Sequence, residues 1–357
     1  MGSRRAKNAK RHVKQAEQDK PELTMDQLLS KTQELMDDNN YETALQVVTQ
    51  AVNQDSNNTQ ALLLAAILQL EMGNIEPAIN CLLRCTELSP DRGFEKYMYL
   101  GQFTVELESV RYYQLGIDAL QRDLEEIRDP GKAAVLKRKM AEAYVAMTEV
   151  YLTDCCFESD AERKCEEYLE QANRIDPECP EVYQTMASVR LSQNRPDDAH
   201  ECLAKSMSLW ADRDTTDSSQ IPSYENRLAL VRLLLELDDK EQALNVMEDL
   251  QKEDDENVDL WYLYGWTYHL QSEASDADEK AELLDSAREC FKQTIRLAAM
   301  QDFENDGLID HARELVAEID AIRPQPISSD KQDGDELASS EVEAEWEDLS
   351  DDDIEMQ

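Results

Sequence analysis

A small residue returns along this chain at Ala44, Ala78, Gly116, Cys165, Ala199, Ala243 and Ala287, and four places after each stands an apolar one: Val48, Leu82, Leu120, Leu169, Leu203, Met247 and Phe291. Residues four apart share one face of an α-helix, so each pair is a notch beside a knob, a surface on which two helices approach closely. The successive gaps are 34, 38, 49, 34, 44 and 44 residues. Two of the steps hold four positions in register. Ala44, Val48, Ala51 and Ser56 map onto Ala78, Leu82, Cys85 and Pro90; Cys165, Leu169, Ala172 and Pro177 map onto Ala199, Leu203, Ser206 and Ala211. A unit of this kind cannot bury its apolar face alone, so copies of it must stack into a solenoid.

The clearest copy is Trp261-Tyr-Leu-Tyr-Gly265-Trp-Thr-Tyr268, which puts Trp261, Gly265 and Tyr268 on one helical face. A second helix from about Lys280 to Ala298 follows it and carries Ala287 and Phe291. An aromatic-x-x-x-Gly-x-x-Tyr phrase followed by Ala-x-x-x-Phe resembles the tetratricopeptide repeat, whose period is about 34 residues. The resemblance implies an all-α solenoid of about seven helical hairpins. The longer gaps predict insertions between helices, one an acidic stretch from Gln271 to Lys280 and the other a polar loop from Ala211 to Ser223. Leu308, Ile309, Ala312, Leu315, Val316 and Ile319 stand at helical spacing and predict a closing helix over about Asn305 to Arg323.

Only nine glycines and ten prolines occur in 357 residues, and no run of alternating β-branched residues reads as a strand. Eight cysteines without a signal peptide or apolar span point to a reducing, cytoplasmic or nuclear compartment and away from a membrane. Cys155, Cys156, Cys165 and Cys179 are the densest group and could be drawn as metal ligands, but Cys165 fills the small-residue slot of its repeat, which favours packing. Cys85, one turn from Cys81, fills an Ala slot in the same way. His12, His200, His269 and His311 are scattered, and no phosphate loop, Gly-x-Ser-x-Gly or His-Glu-x-x-His phrase occurs. The expectation is a protein with no catalytic residues, no metal and no cofactor.

The two ends carry opposite charge and suggest three parts: a basic arm over residues 1–22, the solenoid over 23–323 and an acidic tail over 324–357. Residues 1–20 hold seven Lys or Arg against Glu17 and Asp19, a net of +5. The pairs Arg4-Arg5 and Lys10-Arg11 read either as a nuclear import signal that engages an import receptor or as a solvated basic tail. Pro324 and Pro326 stop the last helix, and the following stretch, with thirteen Asp or Glu and one Lys, is expected to be disordered. Its apolar anchor is Trp346, and Asp351, Asp352 and Asp353 follow Ser350, a pattern that resembles sites of acid-directed kinases.

The whole chain has a formal charge of −42, which leaves −35 for residues 21–323. Solvated helix surface accounts for part of this. Self-repulsion works against compactness, so the larger share points to a strongly basic partner, while nucleic acid, itself an anion, is disfavoured as a direct ligand. In stacked helical hairpins the first helix of each repeat lines the inner surface. Counting from the notch residues, the outward positions there include Glu95, Gln102, Glu106, Glu142, Glu181, Asp259, Tyr262 and Trp266. Carboxylates pair with Arg and Lys, and Trp and Tyr stack on guanidinium groups. For Tyr262 and Trp266, core packing at a repeat seam is the alternative.

One large tetratricopeptide group grips acidic chaperone C-termini with a Lys and Asn clamp, but here the corresponding places hold Leu29, Gln33 and Leu64, which cannot clamp a carboxylate. The basic stretch from Ser3 to Arg11, about seven repeats and the Glu-Ala-Glu-Trp346-Glu-Asp-Leu-Ser-Asp-Asp-Asp end together resemble the fungal family of dedicated assembly chaperones of universal large-subunit ribosomal protein four. That resemblance implies capture of a newly made basic ribosomal protein, shielding of its long basic loop and escort into the nucleus. A scaffold joining proteins in a larger complex is the alternative, and a metal-carrying enzyme regulator a third class.

Overall fold

The computed structural model describes residues 23–211, 221–301 and 303–323. Among them fifteen α-helices and no strand occur: α1 (Met25–Asp37), α2 (Tyr41–Gln54), α3 (Thr59–Glu71), α4 (Ile75–Leu88), α5 (Glu95–Phe103), α6 (Glu106–Glu126), α7 (Pro130–Leu152), α8 (Ala161–Ile175), α9 (Pro180–Ser192), α10 (Pro196–Ser208), α11 (Tyr224–Glu236), α12 (Lys240–Glu253), α13 (Val258–Ala274), α14 (Ala277–Met300) and α15 (Asp306–Ile322). The first fourteen pair into seven successive hairpins, and α15 packs on α14. This is the all-α tetratricopeptide-repeat solenoid with a closing helix.

The repeat arithmetic explains the packing. All seven small residues are buried, and so are all seven apolar partners, five of which have no exposed surface at all: Val48, Leu82, Leu120, Met247 and Phe291. The notches are occupied from across the hairpin. A Cβ on Gly265 would stand 2.7 Å from the Phe291 ring, and one on Gly101 would stand 2.9 Å from the Tyr113 ring.

The turn inside a hairpin also repeats. Asn39, Gly73, Asn194 and Asp238, each five places before the small residue of the following helix, have φ of +55°, +74°, +58° and +63°. The next N–H then reaches back to a carbonyl of the helix just ended: Asn40 to Leu35 at 2.8 Å, Asn74 to Gln69 at 2.8 Å, Arg195 to Arg190 at 2.9 Å and Asp239 to Leu234 at 2.8 Å. Gly, Asn and Asp tolerate the left-handed conformation that this cap requires, so the same reversal is encoded four times.

One predicted insertion takes a different form. The stretch from Gln271 to Lys280 is not a loop: α13 continues to Ala274, and α14 starts at Ala277 with the Asp276 side chain accepting from the N–H groups of Asp278 and Glu279. Gln, Glu, Ala and Lys favour helix, so the added residues lengthen both helices. The 49-residue gap is taken up in the same way by α6 and α7, which run to 21 and 23 residues. Residues 212–220 of the other predicted loop lie outside the described residues, as do the basic arm with Arg4, Arg5, Lys10 and Arg11 and the tail with Trp346 and Asp351, Asp352 and Asp353.

At the C-terminal end α15 buries Ile309, Ala312, Leu315 and Ile319. Leu315 and Ile319 join Leu284, Ala287 and Phe291 in one cluster. Arg288, almost fully buried on α14, fastens the two helices by donating to Asp320 at 3.4 Å and to the Arg323 carbonyl at 3.2 Å.

Candidate partner-binding surface

Two clefts open along the face made by the first helices of the middle hairpins. The first, about 340 Å³, lies between α5 and α7 and is lined by Phe94, Glu95, Met98, Tyr99, Gln102, Tyr113, Lys139, Glu142 and Ala143. The second, about 240 Å³, is lined by Glu142, Val145, Ala146 and Glu149 of α7, Glu181, Gln184 and Thr185 of α9, and Asn226 of α11. Glu142 borders both, so the two make one trough across consecutive hairpins. Four residues expected on this face, Glu95, Gln102, Glu142 and Glu181, are therefore brought together.

The two halves of the trough differ in character. In the first, Tyr113 lies over Gly101, where any larger residue would displace its ring. Burial pushes the Tyr113 hydroxyl up to about 12, so it stays protonated and the wall is apolar with a neutral polar rim. In the second half carboxylates dominate. Asn226 Nδ2 donates to Glu181 Oε1 at 3.3 Å, and Cys179 Sγ donates to Glu181 Oε2 at 3.2 Å, which holds this carboxylate toward the cleft. Glu149 is exposed to solvent yet walled by protein, and this desolvation raises its pKa above the ordinary 4.5. Lys139 pairs with Glu142 at 2.7 Å and offsets one charge. Nearby arginines are engaged elsewhere, Arg138 with Asp176 and Arg190 with Glu166. The trough thus holds four carboxylates against one lysine, an arrangement that binds cationic side chains and offers an aromatic wall to apolar ones.

The other predicted residues lie elsewhere. Glu106 is not on a first helix: α5 ends at Phe103, and Glu106 opens α6 in the left-handed region at φ +55°. Asp259 is engaged in an ion pair with Arg232 of α11 at 2.7 Å. Tyr262 and Trp266 are half-buried beneath α15. Tyr262 Oη lies 2.7 Å from His311 Nδ1, and Trp266 stacks on His269 at 5.6 Å with His311 at 5.7 Å on another side. The core alternative describes both aromatics, because the closing helix stands where a further repeat would otherwise leave an inner face open.

Sequence reasoning missed Glu149, Asn226, Tyr99 and Tyr113. Glu149 was within reach, since it stands seven residues after Glu142 and two helical turns return to the same face. Tyr113 was not, because it enters the cleft from a second helix. Of the cysteine group, Cys155, Cys165 and Cys179 are buried and Cys156 is exposed; the Cys165 Sγ lies 3.9 Å from the Thr148 carbonyl, and burial pushes its thiol up to about 11. Among the described residues no three His, Cys, Asp or Glu side chains gather as a metal ion would need, and no helix is long and apolar enough to cross a membrane.

The chain matches the tetratricopeptide-repeat family over residues 35–93 and again over 228–293. It is 32% identical over 360 residues to a protein of Emericella nidulans named "Probable assembly chaperone of rpl4", a match covering 92% of this chain and 90% of that one. A protein of the same name from Schizosaccharomyces pombe is 35% identical over 240 residues, covering 65% of this chain and 70% of the relative. Among solved structures, "Assembly Chaperone of RpL4 (Acl4) (Residues 1-338)" superposes with a TM-score of 0.64 at 31% identity, covering 71% of this chain and 98% of that one.

Proposed function

The chain belongs to the tetratricopeptide-repeat family of rpl4 assembly chaperones, and on that premise we propose that it is a dedicated, non-catalytic chaperone that holds the newly made, strongly basic rpl4 protein in the trough of α5, α7, α9 and α11. The observation that carries this reading is the open acidic run Glu95, Glu142, Glu149 and Glu181 beside an aromatic wall, on a chain of net charge −42. A basic segment laid along it exchanges mobile counterions for fixed carboxylates, while its apolar stems rest on Met98, Tyr99 and Tyr113. Until its client reaches the ribosome, such a site keeps a polycation from other polyanions. The acidic tail, with Trp346 and Asp351 to Asp353, supplies further carboxylates to the same client. The basic arm, with Arg4, Arg5, Lys10 and Arg11, recruits an import receptor and takes the pair from cytoplasm to nucleus.

Affinity purification of the tagged chain at moderate salt tests this. The expected result is rpl4 in stoichiometric amount without nucleic acid. Recovery of many unrelated proteins, or of a stable multi-subunit assembly lacking rpl4, would instead support a scaffold.

A further inference from the structure

In a solenoid of hairpins, the turns joining the first helix of each pair to the second fall along one edge. Four of these turns are polar: Asp38 to Asn40 in the first hairpin, Gln193 to Arg195 in the fifth, Asp238 and Asp239 in the sixth, and Ser275 and Asp276 in the seventh. The three between them are different. The second hairpin exposes Met72 and Ile75, the third Val105 and Leu107, and the fourth Phe157, which is 97% exposed. Large apolar side chains thus stand out on three consecutive hairpins, on the edge where polar turns are otherwise used.

The middle of this ridge is fixed in shape. Val105 and Leu107 flank Glu106, whose left-handed backbone is held by a hydrogen bond from its N–H to Asp154 Oδ2 at 3.3 Å. Asp154 belongs to the turn that presents Phe157, so the third and fourth hairpins are joined at their tips. Exposed carboxylates rim the apolar residues: Glu71 and Glu76, Glu106 and Glu108, and Asp154 and Glu158. None of the six pairs with a Lys or Arg among the described residues. The ridge also continues the trough, since Gln102 lines the first cleft three residues before Val105.

We infer that this edge is a second docking surface, which receives an apolar segment flanked by Lys or Arg from the same basic client as the client leaves the trough. The apolar ridge selects the centre of such a segment and the carboxylate rim its flanks. A second copy of this chain is disfavoured as occupant, because it would bring the same negative rim against this one. The inference rests on the proposed capture of rpl4.

The test uses the full chain and recombinant rpl4. Combining V105S, L107S and F157S should leave melting unchanged, because the three side chains are exposed, and should weaken binding about tenfold. That ratio should be the same at roughly 0.1 and 0.5 M salt, since apolar contact is not screened. A photo-cross-linking residue at position 157 should join to an rpl4 segment that is apolar with basic flanks. Unchanged affinity of the triple variant, or cross-links to another copy of the chain, would overturn the inference while leaving trough binding intact. Absence of any rpl4 binding by the unsubstituted chain would overturn the proposed function itself, and the ridge with it.

Discussion

In the third and fourth hairpins the faces of α5 and α7 are open, and Glu95, Gln102 and Glu142 look onto a cleft. In the seventh, the equivalent face of α13 is covered, and Trp266 lies between His269 and His311. The two regions read alike in sequence, each a first helix with outward aromatic and acidic positions. A repeat pattern assigns a side chain to a face, but the element that follows decides whether that face meets solvent. Here the follower in the middle is another first helix set back across a cleft, and at the end it is a closing helix seated directly on the aromatics.

If the end is structural and the middle functional, substitutions should separate stability from binding. The largest effect is expected from Leu315→Ala, which opens a cavity under α15 beside Ala287 and Phe291 and should cost about 2–5 kcal/mol in urea unfolding. Affinity for rpl4 should not change. Trp266→Ala should follow with a loss of about 2–3 kcal/mol, less than for a fully buried Trp, again with binding preserved. Its counterpart is Glu142→Gln with Glu181→Gln in the trough, for which melting should hold and rpl4 affinity should fall about tenfold at low salt. A trough pair that lowers melting but not affinity would merge the two regions and break the comparison.

The two glycine notches sharpen it further. Gly265→Leu drives a side chain into the Phe291 ring and should cost roughly 1 to 3 kcal/mol with binding unaffected in the surviving fold. Gly101→Ala meets Tyr113, a wall of the open cleft, and should cost on the order of 1 kcal/mol while also reducing affinity. Calorimetry and titration on both variants read the contrast directly.

How far the sequence carried this account depends on what each residue answers to. The hairpin count, the buried slots from Ala44 to Ala287 and the closing helix were legible because they obey helical period, which is local. Glu95, Gln102, Glu142 and Glu181 were legible for the same reason. Glu106 was misplaced because the third hairpin has a short turn that ends α5 early, and nothing in Phe103-Thr-Val105 punctuates the chain as Gly or Pro would. Tyr262 and Trp266 were assigned to the right face, but their cover comes from His311, some 49 residues on, and local period carries no information about it. The edge ridge at Val105, Leu107 and Phe157 shows only when hairpin tips are compared in space.

The smallest expected effect concerns protons. Glu149 has its pKa raised in the folded chain, so between the unfolded value and the raised one the folded state binds more protons than the unfolded state. Stability from this group therefore falls as pH rises through that window. A bound cation favours the carboxylate, so capture of the client should expel the proton and affinity should rise with pH over the same interval. Glu149→Gln should flatten that rise, and titrations in buffers of different ionisation heat should show the loss of proton release.

The central claim is that the open acidic trough, and not the closed aromatic end, holds the client. It is tested most directly by measuring rpl4 affinity across salt for the full chain and for a variant carrying E95Q, E142Q, E149Q and E181Q together. Between about 0.1 and 1 M salt the screening length shortens from about 10 Å to about 3 Å. The full chain's affinity should fall steeply over that range, and the variant should start weaker and fall along a distinctly shallower line. Two superimposable curves, or a full-chain affinity that ignores salt, would contradict the claim.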